Sequence, residues 1–437
     1  MTDMSRLLNT SLTTNDEAPV YVVDGEGCWY TLSDGRRVLD GSNSAGSLGH
    51  RHPDMVETIR KAAEYPAISE GWAWKGRTQA AEDLIDIAFE GETDWVGGVR
   101  FGLSGSEIND LALSLGQALT GRSAVATRER AYHGLTGLSR EVTTQPQWHG
   151  GLSRGDGTVS PAAPNCAVRV ISAPDSSLYG QRVVHYPPMS EAEMANVLSD
   201  ASSVIIDYTQ GGIYHDAAYQ DQVAAAAKQA GALWIADEVV TGAGRSGRWF
   251  AFQGGTARPD MVTMAKGLAG GAGPIGAVIL SKELTEQLSD AAWQNYSTYR
   301  GHPTAMAGVS TYLKVVKRDK LLERVAALGA VIGPRLVEMA KRHPSVARVD
   351  GRGLHWTVEF HGPHWNQWTA ATRETPIASK VVAAAMAENV SIGTSGEQTS
   401  LFLAPALVIS DAEIDQLLQV LDHALYVADE DFSRIAG

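Results

Sequence analysis

Cysteine is nearly absent: Cys28 and Cys166 are the only two in 437 residues. That scarcity excludes a disulfide framework or a cysteine-rich metal centre as the organising device, and it fits a reducing cytoplasm. No run of about 18 apolar residues occurs, so no spanning helix and no membrane partner are expected. Met1 to Pro19 is polar and contains no apolar run, so no secretory signal is read there. Positive charge is in deficit, since 36 Lys and Arg against 50 Asp and Glu leave a net charge of −14. Such a surface argues against nucleic acid and is compatible with a cationic substrate. Internal repeats, low-complexity linkers and a Gly-x-Gly-x-x-Gly dinucleotide turn are also missing. Glycine, by contrast, is plentiful at 45 residues, about 10% against the usual ~7%.

The apolar pattern alternates short runs with helical stretches. Strands are expected at Ser123–Thr127, Ala167–Ile171, Ser203–Ile206, Ala232–Ala236, Met261–Met264 and Ile275–Leu280, with helices at Thr78–Ala88, Glu107–Thr120, Glu191–Ala201 and Tyr219–Ala230. Strands separated by helices imply βαβ units and a mostly parallel sheet, an α/β fold. Short strands near Val20–Val23, Gly27–Leu32 and Val38–Asp40 precede this region. A strand–helix–strand tail follows it, at Trp356–Phe360, Ile377–Glu388 and Leu401–Leu403, before a helix at Asp411–Tyr426. The expected organisation is a large domain over residues 54–310 and a smaller α+β domain built from residues 1–53 and 311–437.

Chemistry concentrates between Leu233 and Gly271. Asp237 follows one apolar strand and Lys266 another, where open α/β sheets place ligand-binding residues. An acid and a lysine so placed can grip pyridoxal 5'-phosphate, the lysine through a Schiff base and the acid at the pyridine nitrogen. Either residue alone would ordinarily be a cap or a solvated charge.

The ordered set Asp237-Glu238-Val239, Thr241-Gly242, Gly244-Arg245-Ser246-Gly247 and Ala265-Lys266-Gly267-Leu268 resembles class III aminotransferases of the ornithine and GABA type. That resemblance implies the fold type I architecture and pyridoxal phosphate, with Lys266 and Asp237 as the catalytic pair. It further implies a phosphate turn at Ser104, Gly105 and Ser106. Tyr132 and Val239 would pack the two ring faces, and His133, Asp207 and Gln210 lie in matching motifs. Thr298 corresponds to a residue that in relatives reaches the neighbouring subunit's phosphate, implying a homodimer with shared active sites. The partners so implied are small-molecule amines and carbonyl compounds.

Two departures concern the substrate. Relatives that use glutamate carry an arginine where this chain has Phe402, and a masking glutamate where it has Gly212. Loss of both halves of the switch is coherent, because an unpaired survivor would be a costly buried charge. Arg300 and Arg77 are the remaining candidates for a carboxylate. Trp72 and Trp74, with Trp148, Trp365 and Trp368, could offer faces to a sugar ring or a cation. The expectation is an aminotransferase acting on an amino-sugar or polyamine-like substrate, as in aminoglycoside-type metabolism. An aminomutase, racemase or epimerase on the same scaffold is the alternative. His50 and His52 lack a third ligand at suitable spacing, so no metal is expected.

Overall fold

A computed structural model describes residues 20–145, 152–153, 159–160, 165–183, 186–361, 375–396 and 398–436. Trp148, Trp365 and Trp368 lie outside the described residues, as does the segment before Val20.

Seven strands form the central sheet in the order Val96–Gly102, Gly276–Ser281, Met261–Ala265, Leu233–Asp237, Ala201–Asp207, Ala124–Arg128 and Val168–Ile171. The last five run parallel, and only Gly276–Ser281 is reversed against both of its neighbours. Near-continuous apolar strands such as Leu233-Trp234-Ile235-Ala236 suit a sheet covered on both faces. Alternate residues divide accordingly. Ile205, Ile235 and Met261 pack with Ile108, Ala112 and Leu113 of the Gly105–Thr120 helix. Val204, Ile206, Trp234 and Val262 join the larger core that includes Val309 and Leu313 of the Pro303–Arg318 helix. Each such buried aliphatic side chain contributes roughly 1.5–3 kcal/mol.

The helix expected at Glu191–Ala201 ends at Val197, because Ala201 already begins a strand. The Ser202 hydroxyl donates to the Ala124 carbonyl on the neighbouring strand, at a register shift between Ala201 and Val204. Strands not expected from the sequence include Val96–Gly102, Tyr179–Gly180 and Val346–Arg352. Their polar or glycine content hides the apolar alternation.

The chain ends meet. Val390 pairs with Leu39 in parallel, and Trp29 Nε1 donates to Glu413 across 384 residues of sequence. A second sheet runs Gly393–Thr394, Ser400–Leu403, His355–Phe360, Val346–Arg352 and Tyr179–Gly180, so a mid-chain segment adds its edge. Val349, Val358, Phe360, Leu401 and Leu403 belong to the core, whereas Arg348, Asp350, Thr357 and Glu359 are buried polar residues of the same strands. No described helix is long and apolar enough to cross a membrane.

Candidate active site

Parallel strands end together, so the residues at their carboxyl ends share one edge. Asp237 and Asp207 are direct cross-strand partners there, and Thr263 pairs with Asp237 from the other side. Lys266 follows immediately after Ala265, in a left-handed conformation with φ 45° that a non-glycine residue seldom adopts. Strain of this kind persists where surrounding structure imposes it, and it often marks a working site.

Asp207, Asp237 and Lys266 line a cavity of about 420 Å³ together with Ser104, Gly105, Ser106, Tyr132, His133, Gln210 and Val239. Ser104 caps the Gly105–Thr120 helix by accepting from the Glu107 N–H at 3.2 Å. The N–H groups of Gly105 and Ser106 precede the first helical bond, and the helix dipole adds positive potential at that end. Glycine is required at 105, since a Cβ there would stand 2.9 Å from Val239 Cγ1.

Asp237 is held from behind. His133 Nδ1 lies 2.7 Å from its Oδ2, Asn109 Nδ2 donates to the same oxygen at 2.8 Å, and the Val239 N–H donates to Oδ1 at 2.9 Å. A carboxylate only accepts, so the His133 proton is assigned to Nδ1, with Nε2 facing Thr127 Oγ1 at 2.9 Å. Burial pushes the Asp207 carboxyl up, yet the Arg128 guanidinium at 2.6 Å and neighbouring donors outweigh it and hold it below the ordinary range. Lys266 is partly buried at the cavity wall. Burial lowers its pKa against the opposing pull of Asp237 and Asp207, bringing a neutral amine closer to hand. Burial, then the charge of Asp237, raises the Tyr132 phenol.

The donor set fits pyridoxal phosphate in order along the cavity. A helix N-terminus can take the phosphate, a primary amine can meet the aldehyde, and an anchored carboxylate can meet a protonated ring nitrogen. A family model of class III aminotransferases matches residues 11–425. The chain belongs to the class III aminotransferases. It is a pyridoxal-phosphate-dependent aminotransferase. An acetylornithine aminotransferase from Mycolicibacterium smegmatis is 30% identical over 438 residues, covering 99% of this chain and 100% of that protein. A taurine–pyruvate aminotransferase from Rhodobacter capsulatus is 30% identical, covering 93% of this chain and 91% of that protein. The crystal structure of an S-selective transaminase from Bacillus megaterium superposes with a TM-score of 0.89 at 29% identity, covering 97% and 96% of the two chains.

Not every expected residue reaches the enzyme's cavity. Arg300 is engaged by Glu107 at 2.6 Å and Glu70 at 3.6 Å. Arg77 Nη1 donates to the Glu70 and Trp72 carbonyls. Thr298 lends its carbonyl to the Glu70 N–H at 3.1 Å, outside the lining. Trp72 is 72% exposed, and Trp74 packs edge-on against Tyr65. Phe402 pairs with Thr357 across the second sheet and tilts against His355 at 5.5 Å. Conversely, the sequence reading passed over Asn109, Thr127 and Arg128. Asn109 could have been found, as a buried polar residue beside Ile108 on an otherwise apolar helix face.

Proposed function

We propose that the enzyme moves amino groups to or from a substrate that offers no carboxylate to a clamping arginine, an amino sugar or a polyamine being the class that fits. The observation carrying this reading is the cavity wall itself: among the described residues lining it there is no arginine. Phe402 stands where relatives place one, and Arg300 is already neutralised by Glu107 and Glu70. The net charge of −14 favours a cationic partner.

Bound in the cavity, the cofactor supplies a ring that withdraws electrons from the carbon losing its proton. The chain's own residues do the rest. Lys266 Nζ takes and returns that proton, and its burial keeps the neutral amine accessible. Asp237, fastened by His133, Asn109 and Val239, would offer its carboxylate to the cofactor's ring nitrogen. Tyr132 and Val239, which line the cavity, would cover the two faces of the ring, and Ser104 to Ser106 would hold the phosphate end. Residues 1–53 and 311–437 would form the small domain that closes against the large one. Thr298 would act across a homodimer interface rather than in its own cavity.

A spectral titration of the purified holoenzyme tests the reading. Spermidine or an aminoglycoside should discharge the visible band of the lysine-linked cofactor and release a carbonyl product, while L-glutamate leaves it unchanged. Lys266→Ala should lack that band from the outset. Tight, productive use of glutamate would overturn the proposal. Solvent-proton exchange at the substrate stereocentre with no donor consumed would favour an aminomutase, racemase or epimerase instead.

A further inference from the structure

The turn that opens the Gly105–Thr120 helix carries an acid of its own. Leu103, Ser104, Gly105 and Ser106 line the cavity, and Glu107 is the third residue of the helix. Its Oε2 accepts from the Leu103 N–H at 2.5 Å, and its own N–H donates to Ser104 Oγ at 3.2 Å. A carboxylate in a first helical turn ordinarily gains from the helix dipole. Here the same N-terminus faces a cavity suited to a phosphate, so two anions would compete for one positive end.

Arg300 meets that charge. It is 4% exposed, and its Nη2 donates to Glu107 Oε1 at 2.6 Å. Its Nη1 donates to Asn295 Oδ1 and lies 3.6 Å from Glu70 Oε2. Glu70 has nearer partners: Arg100 Nη2 engages its Oε1, and the Ser297 N–H donates to its Oε2 at 2.8 Å. Arg77 Nη1 donates to the Glu70 carbonyl at 3.0 Å. The close carboxylate for Arg300 is therefore Glu107, and through it residues 295–300 are fastened to the turn at the cavity wall.

We propose that Arg300 is a positioning residue for the cofactor's phosphate: by engaging Glu107 it cancels a negative charge next to the Ser104–Ser106 turn and leaves the helix N-terminus to the phosphate. Arg300 lies outside the cavity lining, so it acts through Glu107 rather than by touching the cofactor. The inference rests on the phosphate turn proposed above and is independent of the substrate class. Without the guanidinium, the Glu107 carboxylate would stand uncancelled beside the phosphate and repel it.

The full-length enzyme, stripped of cofactor, is refilled with pyridoxal phosphate or with pyridoxal, which lacks the phosphate, and the visible band is followed. The ratio of the two affinities isolates what the phosphate contributes. Arg300→Gln should cut that ratio by about tenfold, weakening pyridoxal phosphate and leaving pyridoxal unchanged. Glu107→Gln keeps an acceptor for the Leu103 N–H and removes the charge, so its ratio should equal or exceed the parent's. Combining the two substitutions should recover most of the loss. A purely structural ion pair predicts the opposite, with both single variants weakening the two ligands alike. That result overturns the inference, as does an unchanged ratio in Arg300→Gln. Should Arg300→Gln fail to fold, the double variant decides: a ratio within about threefold of the parent's supports the inference, and a drop of about tenfold, or failure to fold, overturns it. Ser106→Asp tests the premise separately by placing a charge in the turn itself. If it leaves the ratio intact, the phosphate turn is misassigned; if it collapses the ratio while Arg300→Gln does not, the role of Arg300 alone is refuted.

Discussion

Glu238 stands beside the cavity-lining Asp237 yet points the other way, into the core. Its carboxyl accepts from the Phe252 N–H at 2.8 Å and from the Thr241 hydroxyl. Burial dominates all the same and pushes its pKa up from 4.5 to about 7, with Asp237 adding to the rise. The sign follows directly. A carboxyl whose folded value lies above its unfolded value costs nothing below pH 4.5 and destabilises progressively as pH climbs towards 7. The full cost, about 3 kcal/mol, stands above that. Glu238→Gln should therefore flatten stability between pH 5 and 8 and raise Tm at pH 8, as differential scanning calorimetry across that range would show. An unaltered pH profile would mean Glu238 ionises freely in the folded enzyme. At this scale much of the site was legible. Lys266, Asp237, Tyr132 and Ser106 sit in motifs of fixed local spacing, and motif chemistry is a property of neighbours in sequence. Asn109, Thr127 and Arg128 were not legible, because their partners Asp237, His133 and Asp207 come from other strands.

At the level of elements, strand pairing depends on backbone approach, which sequence reports poorly. Tyr179–Gly180 is two residues long, yet it closes the edge of the second sheet against Arg348 and Val349. Gly180 has φ 71°, and a Cβ there would fall 1.9 Å from the Ala347 carbonyl oxygen. Gly180→Ala combines a left-handed alanine with a backbone collision, and should cost about 2–4 kcal/mol. A lower urea midpoint with an unchanged slope would record it. Equal midpoints would show that the edge pairing contributes little. Apolar strands such as Leu233–Asp237 were foreseeable because burial on both faces demands continuous hydrophobic residues. Val346–Arg352 alternates core Val349 with Arg348 and Asp350, so its polar half masked it.

Across the whole molecule, Arg245 ties the segments together, donating to the carbonyls of Asn43, Leu354 and Pro405 from deep burial. Segments from both halves of the chain thus meet at one side chain. On the outside, Trp72, Tyr296 and Tyr299 are 72%, 61% and 62% exposed in the loops flanking Thr298. Exposed aromatics of that size mark association surfaces. The proposed homodimer should sediment at twice the 46.6 kDa chain mass. The double variant Trp72→Ser, Tyr299→Ser should shift the equilibrium towards monomer by about tenfold or more and loosen cofactor retention. A monomer at micromolar concentration would rule the dimer out.

What the sequence by itself determined was the chemistry of the strand ends: a lysine, an aspartate, a helix-opening glycine and serine, and an α/β pattern that must gather them on one edge. Hydrophobic periodicity and motif spacing are local, so they survive reading along the chain. What only the tertiary structure decided was which charges face one another. Glu359 meets Arg130 across 229 residues of sequence, and Arg348 meets the Gly212 carbonyl across 136. Arg300, open as a substrate ligand on the page, turns out neutralised by Glu107 and Glu70. Coulomb energy depends on separation in space and on burial, and neither is written in the order of residues.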